Sequence, residues 1–170
     1  MPILKRKVLA YIAHEGRLLV FRHRDFPEAG IQVPGGTLEE NEPPTQAILR
    51  EAAEETGLAG LLIQRKIGEQ VLKMSDYGLD EIHHRYYFQL VCDTPPPQTW
   101  IHEEMSPSDG SPAPIAFEFF WAKLPNGVPP LAGGQDKFLY RLIDFMIAEG
   151  TCCSRTMRVV DQYAGQQPDL

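Results

Sequence analysis

The chain has 170 residues, of which 43% are hydrophobic and 23% are charged. This is the composition of an ordinary globular protein, and it excludes collagen-like and largely disordered chains. A chain of this length buries about two-thirds of the surface that its unfolded form exposes, so we expect one hydrophobic core. The formal net charge of −7 argues against a partner made of duplex nucleic acid, because binding its phosphates requires clustered Lys and Arg.

The sequence also bears on location. No apolar run approaches the roughly 20 residues that span a bilayer, and the basic N-terminus is not followed by the apolar segment of a secretory signal. Three cysteines cannot form a closed disulfide framework, and they lack metal-site spacing. We therefore expect a cytoplasmic protein without a membrane partner, either a monomer or a homodimer.

The N-terminal part of the sequence has the pattern of β-structure. Residues 8–13 and 17–24 are apolar and β-prone, and the turn signal at 14–16 between them predicts a hairpin. Residues 31–33 predict a short strand that ends at the Pro-Gly-Gly sequence 34–36.

The clearest helix is predicted over residues 45–55. Two prolines stand at its start, helix-forming residues fill it, and Gly57 occupies the C-cap position. Two longer strands are predicted beyond it, over 63–73 and 84–91, with a turn at 75–81.

The second half of the chain begins with the Pro-, Ser- and Gly-rich stretch 93–114, which shows no periodicity. Its length predicts a functional loop, or a mobile lid at the rim of the active site. Residues 115–124 predict another strand, and 136–149 predict an amphipathic helix. We assign residues 1–150 to a single domain and 151–170 to a frayed or lightly docked tail. Strands outnumber helices and separate them, so we expect a mixed α+β fold of the α/β kind, with helices covering a mixed sheet.

Three carboxylates share one face of the predicted helix. Glu51, Glu54 and Glu55 are related by i, i+3 and i+4. Three like charges repel one another, and Arg50 alone cannot neutralise them. A divalent cation can, and ligands that are all oxygen favour Mg²⁺ or Mn²⁺ over Zn²⁺. Gly35 and Gly36 let the backbone approach a ligand closely, so a glycine carbonyl is a further candidate ligand. The alternative is a solvated acidic helix face.

The full spacing of this segment resembles the signature of the Nudix hydrolases, G-x5-E-x7-R-E-U-x-E-E-x-G-U, in which U is aliphatic. Every fixed position is occupied at the stated spacing, by Gly36, Glu42, Arg50, Glu51, Glu54, Glu55, Gly57 and Leu58. Ala52 fills the first U position with a small residue, a departure that affects packing rather than chemistry.

This resemblance implies a Nudix-like α/β/α sandwich and a hydrolase that cleaves a diphosphate linked to another moiety, X. It implies Mg²⁺ ions bound by Glu51, Glu54, Glu55 and the backbone of Gly36, with Mn²⁺ as a possible substitute. Arg50 matches a catalytic position of the family, at which it orients the ligand carboxylates. Glu42 matches another position that orients them. Glu54 matches both a metal ligand and a catalytic residue. Bound metal would neutralise phosphate oxygens and lower the pKa of the attacking water.

The family often uses one more acidic residue from outside the signature, as a metal ligand or general base. Glu118, in the aromatic strand before Trp121, is the first choice for both roles, and its alternative is a solvent-facing strand position. Glu103 and Glu104 compete with it as base or as substrate-binding residues.

Weaker candidates lie near two other strands. Arg22 and Arg24 follow the second strand as candidates for binding substrate phosphates, against the alternative of ordinary surface charge. We expect His83 and His84 to be surface residues, because adjacent strand residues point to opposite faces and do not easily bind one ion together.

The sequence thus predicts an Mg²⁺-dependent pyrophosphohydrolase whose partner is a small nucleotide or nucleoside diphosphate derivative. The alternative is a catalytically silent binding or regulatory module with the same fold. X stays open among nucleoside triphosphates, nucleotide sugars, ADP-ribose and dinucleoside polyphosphates.

Overall fold

The computed structural model describes residues 1–107 and 110–151, and within them it contains seven strands and two α-helices. The strands are β1 (Ile3–His14), β2 (Arg17–His23), β3 (Gly35–Thr37), β4 (Leu61–Lys73), β5 (Glu81–Cys92), β6 (Thr99–Glu104) and β7 (Ile115–Lys123). The helices are α1 (Pro44–Thr56) and α2 (Leu139–Ala148). Neither helix is long and apolar enough to cross a membrane.

The strands form one mixed sheet in the order β4-β5-β1-β2-β7-β6, and β3 pairs with β1 off this path. β1 and β5 are parallel, and the other pairs are antiparallel. The hairpin partners β1 and β2 pair only next to their turn, at Ala13–Leu18 and His14–Arg17. Further along, β1 pairs with β3 instead. The two halves of the sheet therefore diverge at β3, which is where the candidate site lies.

Both faces of β1 are buried. Alternate residues pack toward α1 in a cluster that includes Val8, Ala10, Ile12, Ala47, Ile48 and Ala52. The residues between them pack toward α2 in a cluster that includes Leu9, Tyr11, Ala13, Leu142 and Met146. A strand buried on both faces is apolar without interruption, which explains the sequence pattern at 8–13. The α/β/α sandwich with a mixed sheet is confirmed.

The short strand predicted at 31–33 is wrong in position. Ile31 and Gln32 make only isolated bridges, and the strand is β3, which begins at Gly35. A Cβ atom added to Gly35 would lie 2.3 Å from the carbonyl oxygen of Val8. The glycines that were expected to end a strand instead let β3 approach β1 closely.

The long loop predicted at 93–114 is also wrong in part, because it contains β6. β6 lies at one edge of the sheet and pairs with β7 from Thr99–Phe120 to Glu104–Ile115. The indole ring of Trp100 stacks on Phe119 with ring centroids 5.0 Å apart. Residues 152–170 lie outside the described part of the chain, so the tail and the domain boundary stay predictions.

Candidate active site

Helix α1 carries the three predicted carboxylates, but its acidic face is not a solvated surface. The helix has Pro44 in its first turn and ends at Gly57, whose φ of 71° is the left-handed conformation that glycine favours. Glu51 is 1% exposed and Glu55 is 7% exposed. The side chain of Glu54 is 47% exposed. Two of the carboxylates are therefore held inside the protein, and the third faces solvent.

The glycines of β3 lie directly against the two buried carboxylates. The backbone N–H of Gly35 donates a hydrogen bond of 2.8 Å to Oε2 of Glu55. A Cβ atom on Gly36 would lie only 2.0 Å from Oε2 of Glu51. Glycine is therefore required here for a close approach of strand and helix.

The surroundings of Glu55 oppose its ionisation. Burial is the main cause that raises the pKa of Glu55 well above its usual value, and the nearby charges of Glu104 and Glu51 add to it. The hydrogen bond from Gly35 and the charge of Lys7 act in the opposite direction. The helix thus holds a buried carboxylate whose negative charge the protein compensates only in part.

Arg50 connects the helix to the loop before it. Its Nε and Nη2 atoms donate two parallel hydrogen bonds, of 2.9 and 2.8 Å, to the carboxylate of Glu42, which is 4% exposed in its side chain. Nη1 donates to Glu51 at 3.0 Å and to Glu54 at 3.4 Å. The hydrogen bond from Arg50 holds the pKa of Glu42 below its usual value. A paired fork of this kind fixes orientation as well as charge.

The donor set suits a hard divalent cation, although the side chains do not form a finished metal site. No group of three or more His, Cys, Asp or Glu side chains in residues 1–107 and 110–151 is arranged to hold an ion. However, Glu51, Glu54 and Glu55 offer only carboxylate oxygens, which are the ligands of Mg²⁺ and Mn²⁺. The close fit of Gly36 over Glu51 brings the backbone of β3 against the same carboxylates. The residues therefore fit such an ion.

A cavity of about 360 Å³ opens beside β3. Its acidic side contains Glu55 and Glu104 next to Gly35 and Gly36. The remaining wall has aliphatic, aromatic, amide and basic residues, and the last three kinds include Phe21, Phe117, Gln32, Gln135, Lys7, His83 and Arg85. This volume lies in the range of small-molecule sites, which have apolar walls and a few polar groups.

Strand β6 delivers Glu104 to this cavity. Trp100 donates from Nε1 to the carbonyl of Thr56 at 2.8 Å, and the His102 ring contacts the carbonyl of Glu54 at 2.9 Å. These carbonyls belong to the last turn of α1, where backbone carbonyls have no N–H donor within the helix. Glu104 is buried, whereas its neighbour Glu103 is exposed and does not line the cavity.

The other predicted site residues do not line this cavity. Glu118 pairs with Arg22 across β7 and β2, with Nε and Oε2 2.6 Å apart. Phe117 does line it, and adjacent strand residues point to opposite faces. Arg24 is exposed and lies 3.5 Å from Asp25.

Lys7 and Arg85 of the cavity wall were not predicted from the sequence, and His83 was predicted wrongly. His83 is 6% exposed rather than a surface residue, so that expectation is wrong, and Arg85 is 5% exposed. His84, by contrast, stacks on Tyr86 and pairs with Glu69. Lys7 stands opposite Arg85 in the register of β1 and β5. Alternation alone pairs His83 with Arg85 on one face, but the sequence did not reveal that β3 leaves a cavity there.

The protein thus has a mixed sheet between two helices, with a carboxylate-bearing helix packed against a glycine strand. The family model of the NUDIX domain matches residues 4–113, so the chain belongs to the NUDIX family. No match was found among curated proteins.

Solved structures share the fold at low sequence identity. A MutT NUDIX hydrolase from Burkholderia pseudomallei is 21% identical, with a TM-score of 0.58, over 82% of this chain and 98% of that one. The E. coli ORF135 protein is 19% identical, with a TM-score of 0.55, over 86% of this chain and 94% of that one. An ADP-ribose pyrophosphatase from Streptococcus suis is 19% identical, with a TM-score of 0.53, over 82% of this chain and 90% of that one.

Proposed function

We propose that this Nudix hydrolase cleaves the diphosphate linkage of a nucleotide, or of a nucleoside diphosphate joined to another moiety X, in a reaction that requires Mg²⁺. One observation carries the proposal. Glu51 and Glu55 are buried carboxylates that lie against the backbone of β3, beside a cavity of about 360 Å³. The charge of Glu55 is opposed by burial and offset only in part by Gly35 and Lys7, and a divalent cation would add to that compensation.

The residues proposed to hold Mg²⁺ are Glu51, Glu54, Glu55 and the carbonyl of Gly36, and Mn²⁺ would be an acceptable substitute. Such an ion would neutralise phosphate oxygens and lower the pKa of an attacking water. Glu54 is the most exposed of the three carboxylates. We infer that it faces the substrate side and takes the proton of that water.

Arg50 is a positioning residue in this proposal, because its hydrogen bonds reach carboxylates rather than the cavity. It holds Glu51 at 3.0 Å and Glu54 at 3.4 Å, while Glu42 holds Arg50 with two further bonds. Partners that orient metal ligands typically change metal affinity or activity by about 10- to 100-fold when they are removed.

Glu104 replaces Glu118 as our first candidate for the acidic residue from outside α1. Glu104 lines the cavity together with Glu55, and its charge contributes to the raised pKa of Glu55. Glu118 is instead paired with Arg22 at 2.6 Å. Glu103, Arg22 and Arg24, predicted to bind substrate, lie outside the cavity wall, so we expect little effect from them.

The substrate panel that tests the proposal contains nucleoside triphosphates, nucleotide sugars, dinucleoside polyphosphates and ADP-ribose. ADP-ribose is included because the Streptococcus suis neighbour is named an ADP-ribose pyrophosphatase. The assays use a reducing buffer because Cys92 has a free thiol. Free thiols are typical of cytoplasmic proteins, the location that we propose for this one.

The experiment measures nucleotide products released by nanomolar enzyme in Mg²⁺ and in excess EDTA. We expect at least one panel member to be hydrolysed at the diphosphate in Mg²⁺ and not in EDTA. Folded protein that hydrolyses nothing in Mg²⁺, but whose melting temperature rises with a nucleotide, would contradict the proposal and support the silent binding module.

A further inference from the structure

The cavity contains a basic end on the face of the sheet away from α1. Lys7 and Arg85 are direct neighbours in the parallel register of β1 and β5, and His83 lies two residues before Arg85. Leu9 and Tyr87, the next residues on this face, pack in the cluster that includes α2. All three basic side chains nevertheless line the cavity that holds Glu55 and Glu104. The cavity therefore connects an acidic end with a basic end.

Arg85 is a buried cation without an acidic partner in the described part of the chain. Its guanidinium donates to the carbonyl of Gly133 at 2.5 Å and to the sulfur of Met74 at 3.4 Å. Among residues 1–107 and 110–151, no carboxylate oxygen lies within 4.0 Å of its nitrogens. Burying a charge is unfavourable unless it is paired, so a bound anion would supply what this residue lacks.

Glu81, the acidic partner of His83, is also paired with a lysine. Glu81 pairs with Lys5 at 2.6 Å and with Nε2 of His83 at 2.6 Å. Burial keeps the pKa of His83 below its usual value, which favours a neutral ring. Nε2 then donates to Glu81, and Nδ1 accepts from Arg85 at 3.4 Å. His83 therefore orients Arg85 without neutralising it.

Arg85 lies two strands away from the glycine strand against which the scissile diphosphate would bind. Thr37 of β3, Lys7 of β1 and Arg85 of β5 stand side by side in the sheet. Two strand spacings amount to about 10 Å between the backbones of β3 and β5. The backbone of Arg85 is therefore offset by this distance from the backbone against which a phosphate at Gly36 would lie.

We propose that Arg85, with Lys7 beside it and His83 orienting it, binds a second anionic group of the substrate, a phosphate or carboxylate carried by X. A guanidinium presents paired donors that match both groups, and a lysine adds a point charge. The inference rests on the proposed function and narrows X from all diphosphate-linked groups to anionic ones.

The first test compares matched substrates that differ in one anionic group. UDP-glucuronate and UDP-glucose differ by a carboxylate, and ADP-ribose 1″-phosphate and ADP-ribose differ by a phosphate. In whichever pair is hydrolysed, we expect kcat/KM to be about tenfold higher for the anionic member, as one charge-assisted contact provides. The pair that shows the preference identifies the anion.

The preference for the anionic member should disappear in Lys7→Gln and in Arg85→Gln, so that kcat/KM becomes about equal for the two members of the pair. It should persist in the control Arg6→Gln, whose guanidinium lies over the ring of Tyr86 instead. Equal kcat/KM for both members of each hydrolysed pair in the wild type overturns the inference while leaving the proposed function intact.

The second test requires no turnover, so it tests the inference even when no substrate of the panel is hydrolysed. The melting temperature is measured in excess EDTA, in sodium phosphate and in sodium chloride of equal ionic strength. We expect phosphate to raise it in the wild type and in Arg6→Gln by several degrees more than in Lys7→Gln. An equal rise in the wild type and both variants is a general salt effect and overturns the inference, even if Arg85→Gln does not fold.

Discussion

The pairing of Glu42 with Arg50 gives the sharpest prediction about how the acidic helix is held. Glu42→Gln removes one charge but almost no volume. It weakens the two parallel hydrogen bonds of 2.9 and 2.8 Å from Arg50, and it changes the acceptor of the backbone N–H of Glu39 at 2.9 Å. Arg50 would keep Glu51 at 3.0 Å, so the substitution loosens the network without removing it.

The expected loss of stability follows from burial. The side chains of Glu42 and Arg50 are 4% and 22% exposed, and breaking a buried pair costs about 3–5 kcal/mol. Because Arg50 keeps a second carboxylate, we expect about 3 kcal/mol. For a chain of this size, each kcal/mol lowers the melting temperature by about 2–4 °C. The melting temperature should therefore fall by about 6–12 °C.

The assay is urea unfolding and thermal melting in EDTA, followed by kcat and KM in Mg²⁺. The matched control is Glu39→Gln, because Glu39 is 72% exposed and 4.0 Å from Arg50, and it should change stability by less than about 0.5 kcal/mol. Turnover should fall by about 10- to 100-fold in Glu42→Gln only. If the two variants are equally stable and equally active, Arg50 is not held as described.

Four further predictions concern the site itself. Glu54→Gln should lower kcat by at least about 100-fold with an unchanged circular dichroism spectrum, and full turnover would rule out its role. Glu104→Gln should lower kcat more than Glu118→Gln does, and the opposite order in a side-by-side assay would restore Glu118. Gly36→Ala places a methyl group 2.0 Å from a carboxylate oxygen of α1, so activity should fall by about 100-fold or more; wild-type kinetics would show that this contact is unimportant. In EDTA, stability should fall as pH rises above about 4.3, the ordinary Glu value, because folded Glu55 with its raised pKa keeps a proton that the unfolded chain releases. Glu55→Gln should remove that part of the decline, and identical pH–stability curves for the two proteins would contradict it.

Local patterns were sufficient to predict α1 and the hairpin. Two prolines and Gly57 bound the helix in the sequence, and the structure ends it there. The apolar run at 8–13 and the turn signal at 14–16 likewise predicted the hairpin, although not that both faces of β1 are buried. These features depend on residues that are neighbours along the chain, so a single sequence reveals them.

The remaining features depend on pairing between distant segments. Thr99–Glu104 is a strand because it pairs with β7 and packs Trp100 on Phe119, although the residues around it have the composition of a loop. The same register brings Glu104 to the cavity and pairs Glu118 with Arg22. A single sequence does not specify register, so it left the choice between these two carboxylates open.

The most direct test of the account is a titration with Mn²⁺ followed by electron paramagnetic resonance of the free ion. The central claim is that the carboxylates of α1 bind the divalent ion. Glu51→Gln, Glu54→Gln and Glu55→Gln should each weaken Mn²⁺ binding by at least about tenfold, and Glu118→Gln should bind it as the wild type does. Unchanged binding in all three α1 variants, with each shown to be folded, would contradict the account.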